Sequence, residues 1–320
     1  MTTTLTPTGR TPEPAPPASR RAAPVHVSPA ARTTARQARA LVMPALFFAI
    51  ALTQIPFLVT IYTSFLNWNQ LRPDDIEFAW FANYASLFTG SDFLPSLWAT
   101  VTITGSSVVL SLIFGLLFAI LLDRKFVGQG IVRTLMITPF LIMPAAGALI
   151  WKFSMLDANV GMVNVGLNLI GIPSVAWNTD FPAVTIVMLL TWQYTPFMML
   201  ILLAGLQSQS REILEAAAVD GAGPVRIFQT MTLPHLRQYI EIATLLGGIM
   251  LLQVFDPIAI MTKGTGGTKT LSYLLYERAF IGLDIGQAAA YGVVTVIITI
   301  VVATVALRTL FRVFMEGGTR

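Results

Sequence analysis

An all-α membrane protein with six transmembrane helices is the fold class this sequence predicts, on three observations. Of 320 residues, 55% are hydrophobic and only 11% are charged, less than half the roughly 25% charged share of a soluble domain. Six windows, at about 41–66, 95–122, 134–151, 183–207, 242–262 and 287–307, are nearly free of formal charge. Each approaches the ~20 residues that carry a helix across ~30 Å of hydrocarbon. The third observation is where the basic residues fall, because Lys and Arg are retained on the cytoplasmic side. With the N-terminus inside, segments 1–40, 123–133, 208–241 and 308–320 hold 15 Lys or Arg, whereas 67–94, 152–182 and 263–286 hold 5. Both termini are therefore expected in the cytoplasm.

Residues 1–40 contain seven prolines and little that is bulky and apolar. They cannot bury enough surface to offset the entropy of ordering, so a disordered basic tail is expected. The apolar run that follows is too long for a cleavable signal core and lacks a small-residue cleavage site. The first span keeps Pro44 and Pro56, which neighbouring helices or Thr side chains compensate in a membrane. The second ends at Asp123-Arg124-Lys125, and the third is expected to kink between Pro139 and Pro144. The outer connection 152–182 is Gly-rich, with a short interfacial helix expected at 164–170. The expected permease domain runs from 41 to 315, leaving 316–320 as a short C-terminal tail.

Between the fourth and fifth spans a polar stretch interrupts the apolar chain. Leu214 to Val219 is helix-prone, and Arg211 is placed to pair with Glu215 at i, i+4, worth a few tenths of a kcal/mol. Gly221 supplies the positive φ that ends this helix, and Pro224 suits the first position of another, whose end is marked by Leu233-Pro234. A helix-turn-helix over about 211–233, with three small alanines beside a Glu, offers a surface that another protein can approach closely.

The residues Glu215-Ala216-Ala217, Asp220-Gly221-Ala222, Phe228 and Leu233-Pro234 resemble the E-A-A-x-x-D-G-A-x-x-x-x-x-F-x-x-I-x-L-P motif of binding-protein-dependent ABC importer permeases, with Met231 at the Ile position. Phe81-Ala82-Asn83-Tyr84 with Leu87-Phe88, and a Gly-Gly turn before Thr270-Leu271 and Tyr273, are similar to the carbohydrate-uptake branch and to its maltose-type larger permease. Thr268 stands where that branch usually has Pro. The resemblance implies a type I importer architecture in the bacterial cytoplasmic (inner) membrane. It also implies four kinds of partner: a second homologous permease subunit in a heterodimer, two ATPase subunits, an extracytoplasmic solute-binding protein and membrane lipid. Glu215, Ala216, Ala217, Asp220, Gly221, Ala222, Leu233 and Pro234 would form the ATPase-coupling element. ATP and Mg would be held by the ATPase, and no cofactor by this chain.

The fourth span carries Leu190-Thr191-Trp192-Gln193-Tyr194-Thr195-Pro196-Phe197, and polar groups in hydrocarbon need partners or a wet cavity. Interhelical hydrogen bonding and a solute site both account for this cluster. The resemblance favours the site: Gln193, Tyr194 and Phe197 fall at solute-contact positions beside Trp192. Counting from Pro234 places Gly247, Met250 and Leu251 at the facing contacts, with Gln253 one step further. Asp256 reads as a headgroup-level charge or a partner for Lys263. The function expected is ATP-driven uptake of a sugar or polyol by alternating access.

The alternative is an ion-coupled secondary transporter or channel. The centres of the six windows contain no Asp, Glu, Lys, Arg or His, where such transporters usually place ion-binding carboxylates. With no cysteine and only two histidines, thiol chemistry is excluded and no catalytic constellation is evident. Lys263–Thr270 lacks phosphate-loop spacing. No basic stripe interleaved with aromatics points to nucleic acid.

Overall fold

In hydrocarbon, only helices satisfy every backbone group within one segment, and the apolar runs of this chain fold accordingly. The computed structural model describes residues 29–317, with side chains described over 42–304. In order, the elements are α1 (Pro29–Thr63), a two-residue hairpin of β1 (Leu66–Asn67) and β2 (Glu77–Phe78), α2 (Ala82–Thr89), α3 (Phe93–Asp123), α4 (Gln129–Leu141), and α5 (Pro144–Leu149), extended by a π-helical segment Ile150–Met155. There follow α6 (Met162–Leu169), α7 (Trp177–Asp180), α8 (Pro182–Gln207), α9 (Arg211–Val219), and α10 (Pro224–Ile227), which passes through π-helical Phe228–Thr232 into α11 (Leu233–Leu252). A third π-helical segment, Ile258–Thr262, then α12 (Leu271–Tyr276), π-helical Glu277–Ile281 and α13 (Ile285–Gly317) complete the described chain.

The count of six transmembrane helices is corrected by these elements. Among the described residues, four helices are long and apolar enough to cross a membrane: Val42–Thr63, Phe93–Asp123, Pro182–Gln207 and Ile285–Thr304. A fifth is reached only if Gln129–Leu141 and Pro144–Met155 are taken as one span bent by 94°. Pro144 explains the bend, since it has no N–H to continue the ladder and disfavours a helical conformation at Met143. The expected window 242–262 is not one helix either: α11 stops at Leu252, and helix resumes only around Asp256-Pro257. The first half of α11 carries His235, Arg237 and Glu241, so its apolar part is too short to span. The placement of both termini on one face rested on six crossings and is withdrawn with them.

α1 begins at Pro29, inside the stretch expected to be disordered; residues 1–28 and 318–320 lie outside the described residues. The chain divides into two units, residues 1–56 and 57–320. In the first, Thr53 Oγ1 donates back to the Ala49 carbonyl at 2.8 Å. In the second, the Phe81–Tyr84 motif has a structural use: Asn83 Nδ2 donates to the carbonyls of Ser64 (2.9 Å) and Leu66 (2.8 Å), and Tyr84 OH bonds Ser64 Oγ at 2.7 Å. One buried amide thereby satisfies the carbonyls left free where α1 ends.

α8 is the centre of the second unit. It runs parallel to α3 and antiparallel to α11, so Ile103, Ile186, Tyr194 and Leu251 share one core and Ala119, Leu202 and Leu203 share another. The close fit to α3 follows from small side chains at helical spacing: Ser96, Thr100, Thr104, Ser107, Ser111, Gly115 and Ala119 are all buried. Such stripes let helix backbones approach. A Cβ at Gly115 would lie 2.9 Å from Met198 Cβ and 3.0 Å from the Met199 nitrogen. A short helix, α6 (Met162–Leu169), is present where one was expected at 164–170.

Candidate functional site

Two places in the second unit carry chemistry that packing does not consume. The first is where α8 meets two helix breaks. Between α4 and α5 the backbone turns at Ile142-Met143, and the freed Ile142 carbonyl accepts a hydrogen bond from Gln193 Nε2 at 2.9 Å. Where α11 stops, its last carbonyls are also met by side chains from elsewhere. Thr104 Oγ1 donates to Leu251 O at 3.3 Å and Ser272 Oγ to Leu252 O at 3.4 Å. Lys152 Nζ donates to Ile260 O at 2.6 Å, placing a cation at the negative end of the second piece.

A cavity of about 140 Å³ lies at these breaks, lined by Pro144, Leu190, Gln193, Tyr194, Met250, Gln253, Val254, Phe255, Asp256 and Pro257. Four of the expected contact residues, Gln193, Tyr194, Met250 and Gln253, are thus brought together. Gln193 is buried, and its Oε1 has no hydrogen-bond partner among the described residues, an atom that needs one. Tyr194 is buried with its ring edge-on to Phe140, centroids 6.1 Å apart.

The other four expected contacts fall elsewhere. Trp192 points away from Gln193, packs on Trp151 at 5.8 Å and lines a separate, apolar pocket of about 460 Å³ with Phe114, Met136 and Pro196. Phe197 stacks on Phe140 at 5.3 Å. Gly247 is buried against the Met198 methyl group, which occupies the space a Cβ would need. Leu251 is core, 3% exposed. The sequence reading missed Asp256: it lines the cavity and makes no ion pair with Lys263 among the described residues. The Asp256-Pro257 pair, a helix start inside an apolar window, was the available signal.

The second place is the segment 211–232. α9 is solvent-exposed on most of its surface, with none of its residues buried, and Ile213 and Val219 are 56% and 88% exposed. Gly221 (φ +87°) closes it, with the Gly221 N–H donating to Ala218 O at 3.1 Å and the Ala222 N–H to Ala217 O at 3.0 Å. This paired closure needs a left-handed residue at Gly221. Glu215, Ala216, Asp220 and Gly221 are exposed, Ala217 and Ala222 half-buried. The expected Arg211–Glu215 ion pair is absent among the described residues. The second helix does not end at Leu233-Pro234: the π-helical turn Phe228–Thr232 absorbs the missing Pro234 N–H, and the helix continues as α11.

At the far end of α3, Arg278 Nη2 meets Asp92 Oδ2 at 2.6 Å and Lys269 Nζ meets Glu277 Oε2 at 2.7 Å. Burial pushes the Tyr273 phenol up, and the Glu277 charge adds to this while Lys269 opposes it. Thr268, at the family's usual Pro position, is fully buried and bonds Thr262 Oγ1 at 2.7 Å. Among the described residues no cluster of three His, Cys, Asp or Glu is placed to hold a metal.

A multi-pass helical membrane protein with a polar cavity at broken helices and an exposed segment joining the two helices beside it has the build of a transport permease. Residues 111–314 match the family described as the inner membrane component of binding-protein-dependent transport systems, and the chain belongs to that family as a permease component of an ABC-type importer. It is 34% identical over 274 residues to a probable ABC transporter permease, y4oQ, of Sinorhizobium fredii, covering 84% of this chain and 88% of that protein. It is 30% identical over 284 residues to the trehalose transport system permease SugA of Mycobacterium tuberculosis, covering 88% and 91%. In fold it is similar to a bacterial ABC transporter involved in alginate import, with a TM-score of 0.74 at 20% identity over 88% of this chain and 96% of that one.

Proposed function

We propose that this chain carries a sugar or polyol through a bacterial inner membrane, as the counterpart of the maltose-type larger permease subunit. The observation that carries the reading is the cavity at the two helix breaks. Buried Gln193, with an unpartnered Oε1, faces Tyr194, Gln253 and Asp256 there, a set of donors and acceptors suited to hydroxyls beside the aromatic faces of Tyr194 and Phe255. The naming of a relative as a trehalose permease points the same way. At about 140 Å³ the cavity is smaller than the ~300–1,000 Å³ of ordinary ligand pockets. A second permease subunit, or the opened state of the cycle, supplies the remaining wall.

In this reading Glu215, Ala216, Ala217, Asp220, Gly221 and Ala222 form the surface that seats on a cytoplasmic ATPase subunit, while Leu233 and Pro234 join it to α11. The segment lies at the end where α3 finishes in Arg124-Lys125, and basic residues mark the cytoplasmic side. Two ATPase subunits bind ATP and Mg, and a solute-binding protein delivers the solute from outside.

Gln193→Leu tests the cavity. It removes a hydroxyl partner for the solute and leaves the half-buried Ile142 carbonyl without its Gln193 donor, a loss of about 1–3 kcal/mol. Uptake by the reconstituted transporter, with a panel of neutral disaccharides, monosaccharides, polyols and amino acids, is expected to show a sugar or polyol as the preferred solute and a KM raised about tenfold in the variant. Preference for amino acids, or an unchanged KM, would overturn the assignment.

A further inference from the structure

Where the exposed segment enters and leaves the helical bundle, the end of α8 packs against the start of α11. Gly205 on α8 is buried there: a Cβ on it would lie 2.6 Å from Tyr239 Cγ and 2.8 Å from Leu236 Cδ2. Ser208 Oγ donates to Gly205 O at 2.8 Å and lies 2.9 Å from both Tyr239 OH and His235 Nε2. His235 Nε2 is also 3.2 Å from Gly205 O, and the His235 and Tyr239 rings are 5.9 Å apart. One arrangement of hydrogens satisfies every contact: Ser208 gives its proton to Gly205 O and accepts from Tyr239 and from His235 Nε2–H, which also faces Gly205 O.

We infer that Gly205, Ser208, His235 and Tyr239 form a joint that makes α8 and α11 move as one body with the exposed segment, His235 and Tyr239 acting as positioning residues for transport. α8 ends at Gln207 and α9 starts at Arg211, while on the other side Phe228–Thr232 runs unbroken into Leu233. A displacement of residues 211–232 therefore reaches α11 directly and is passed to α8 by this joint. Those helices carry Gln193 and Met250, from opposite sides of the cavity. Coupling requires an element whose arrangement both sites bias; without the joint, motion at the segment would be absorbed by the three-residue link 208–210. The inference rests on the coupling role proposed for the segment.

The test uses the complete transporter in lipid vesicles with its partner subunits and binding protein. The chain has no cysteine, so paired spin labels introduced at exposed Val184 on α8 and Leu246 on α11 report their separation without a known solute. In the parent chain the single distance is expected to persist when ATP and vanadate trap the complex. In His235→Ala and in Tyr239→Phe, which keeps the ring packed on Gly205, the distance is expected to split on trapping. Stimulation of ATPase activity by the binding protein is expected to fall about tenfold, with basal hydrolysis retained. His235→Gln, which restores an N–H donor, is expected to recover both. An unsplit distance with full stimulation in the Ala and Phe variants overturns the joint alone, as does failure of Gln to recover what Ala loses. A parent chain that does not co-purify with an ATPase overturns the coupling role itself, and the joint with it.

Discussion

Gly221→Val is expected to leave the protein inserted in the membrane and to abolish coupled uptake. Gly221 sits at φ +87°, and no heavy atom lies within 4 Å of where its Cβ would be. The strain is therefore in the backbone alone. A β-branched residue held in the left-handed region costs about 1–3 kcal/mol, too little to unfold a domain stable by ~5–15 kcal/mol. It is enough to favour a different exit from α9, breaking the paired closure on Ala217 and Ala218. Solute-stimulated ATPase activity and vesicle uptake should both disappear, whereas Gly221→Asn, which tolerates positive φ, should keep most of each. Normal uptake by the Val variant would refute the role given to this turn.

The largest effect on stability is expected from Gly115→Leu. The atoms a Cβ would meet there include the Met199 nitrogen at 3.0 Å and the Met198 carbonyl carbon at 3.2 Å. These are backbone atoms of α8, and no rotamer change moves them aside. Overpacking costs about 1–3 kcal/mol where side chains can adjust, and here whole helices must separate. Gly105, on the same helix, has no heavy atom within 4 Å, so Gly105→Ala should be neutral or slightly stabilising through helix propensity. Thermal unfolding in detergent, read by loss of monodisperse protein, checks the pair. Equal melting temperatures for Gly115→Leu and the parent would refute the close α3–α8 contact.

Much of the candidate site was readable in advance because its chemistry is local. The turn at Asp220-Gly221 and the helix start at Pro224 are dictated by residues within a few positions of one another. Gln193 and Tyr194 stood out as polar groups in an apolar span and by the family resemblance, while Met250 and Gln253 were reached by counting along the helix from Pro234. Trp192 and Phe197, taken from the resemblance, and Gly247 and Leu251, counted from Pro234, pack against Trp151, Phe140, Met198 and the core and do not line this cavity. A helix turns about 100° per residue, so neighbours in sequence face different surroundings, and only the packed partners say which.

By itself the sequence determined that this is a helical membrane protein, where polar turns interrupt it, and which motif those turns carry. Hydropathy and glycine or proline chemistry act over one turn or one span, and both are written in the chain. Only the tertiary structure decided that the window 242–262 is broken at Gln253, that the third apolar window bends by 94°, and that the helix after Pro224 runs on through Pro234. Each break persists because a side chain from a distant element, Gln193, Thr104 or Ser272, satisfies a carbonyl that the break releases. Hydropathy registers how apolar a window is, and it carries no record of which partner stands across from it.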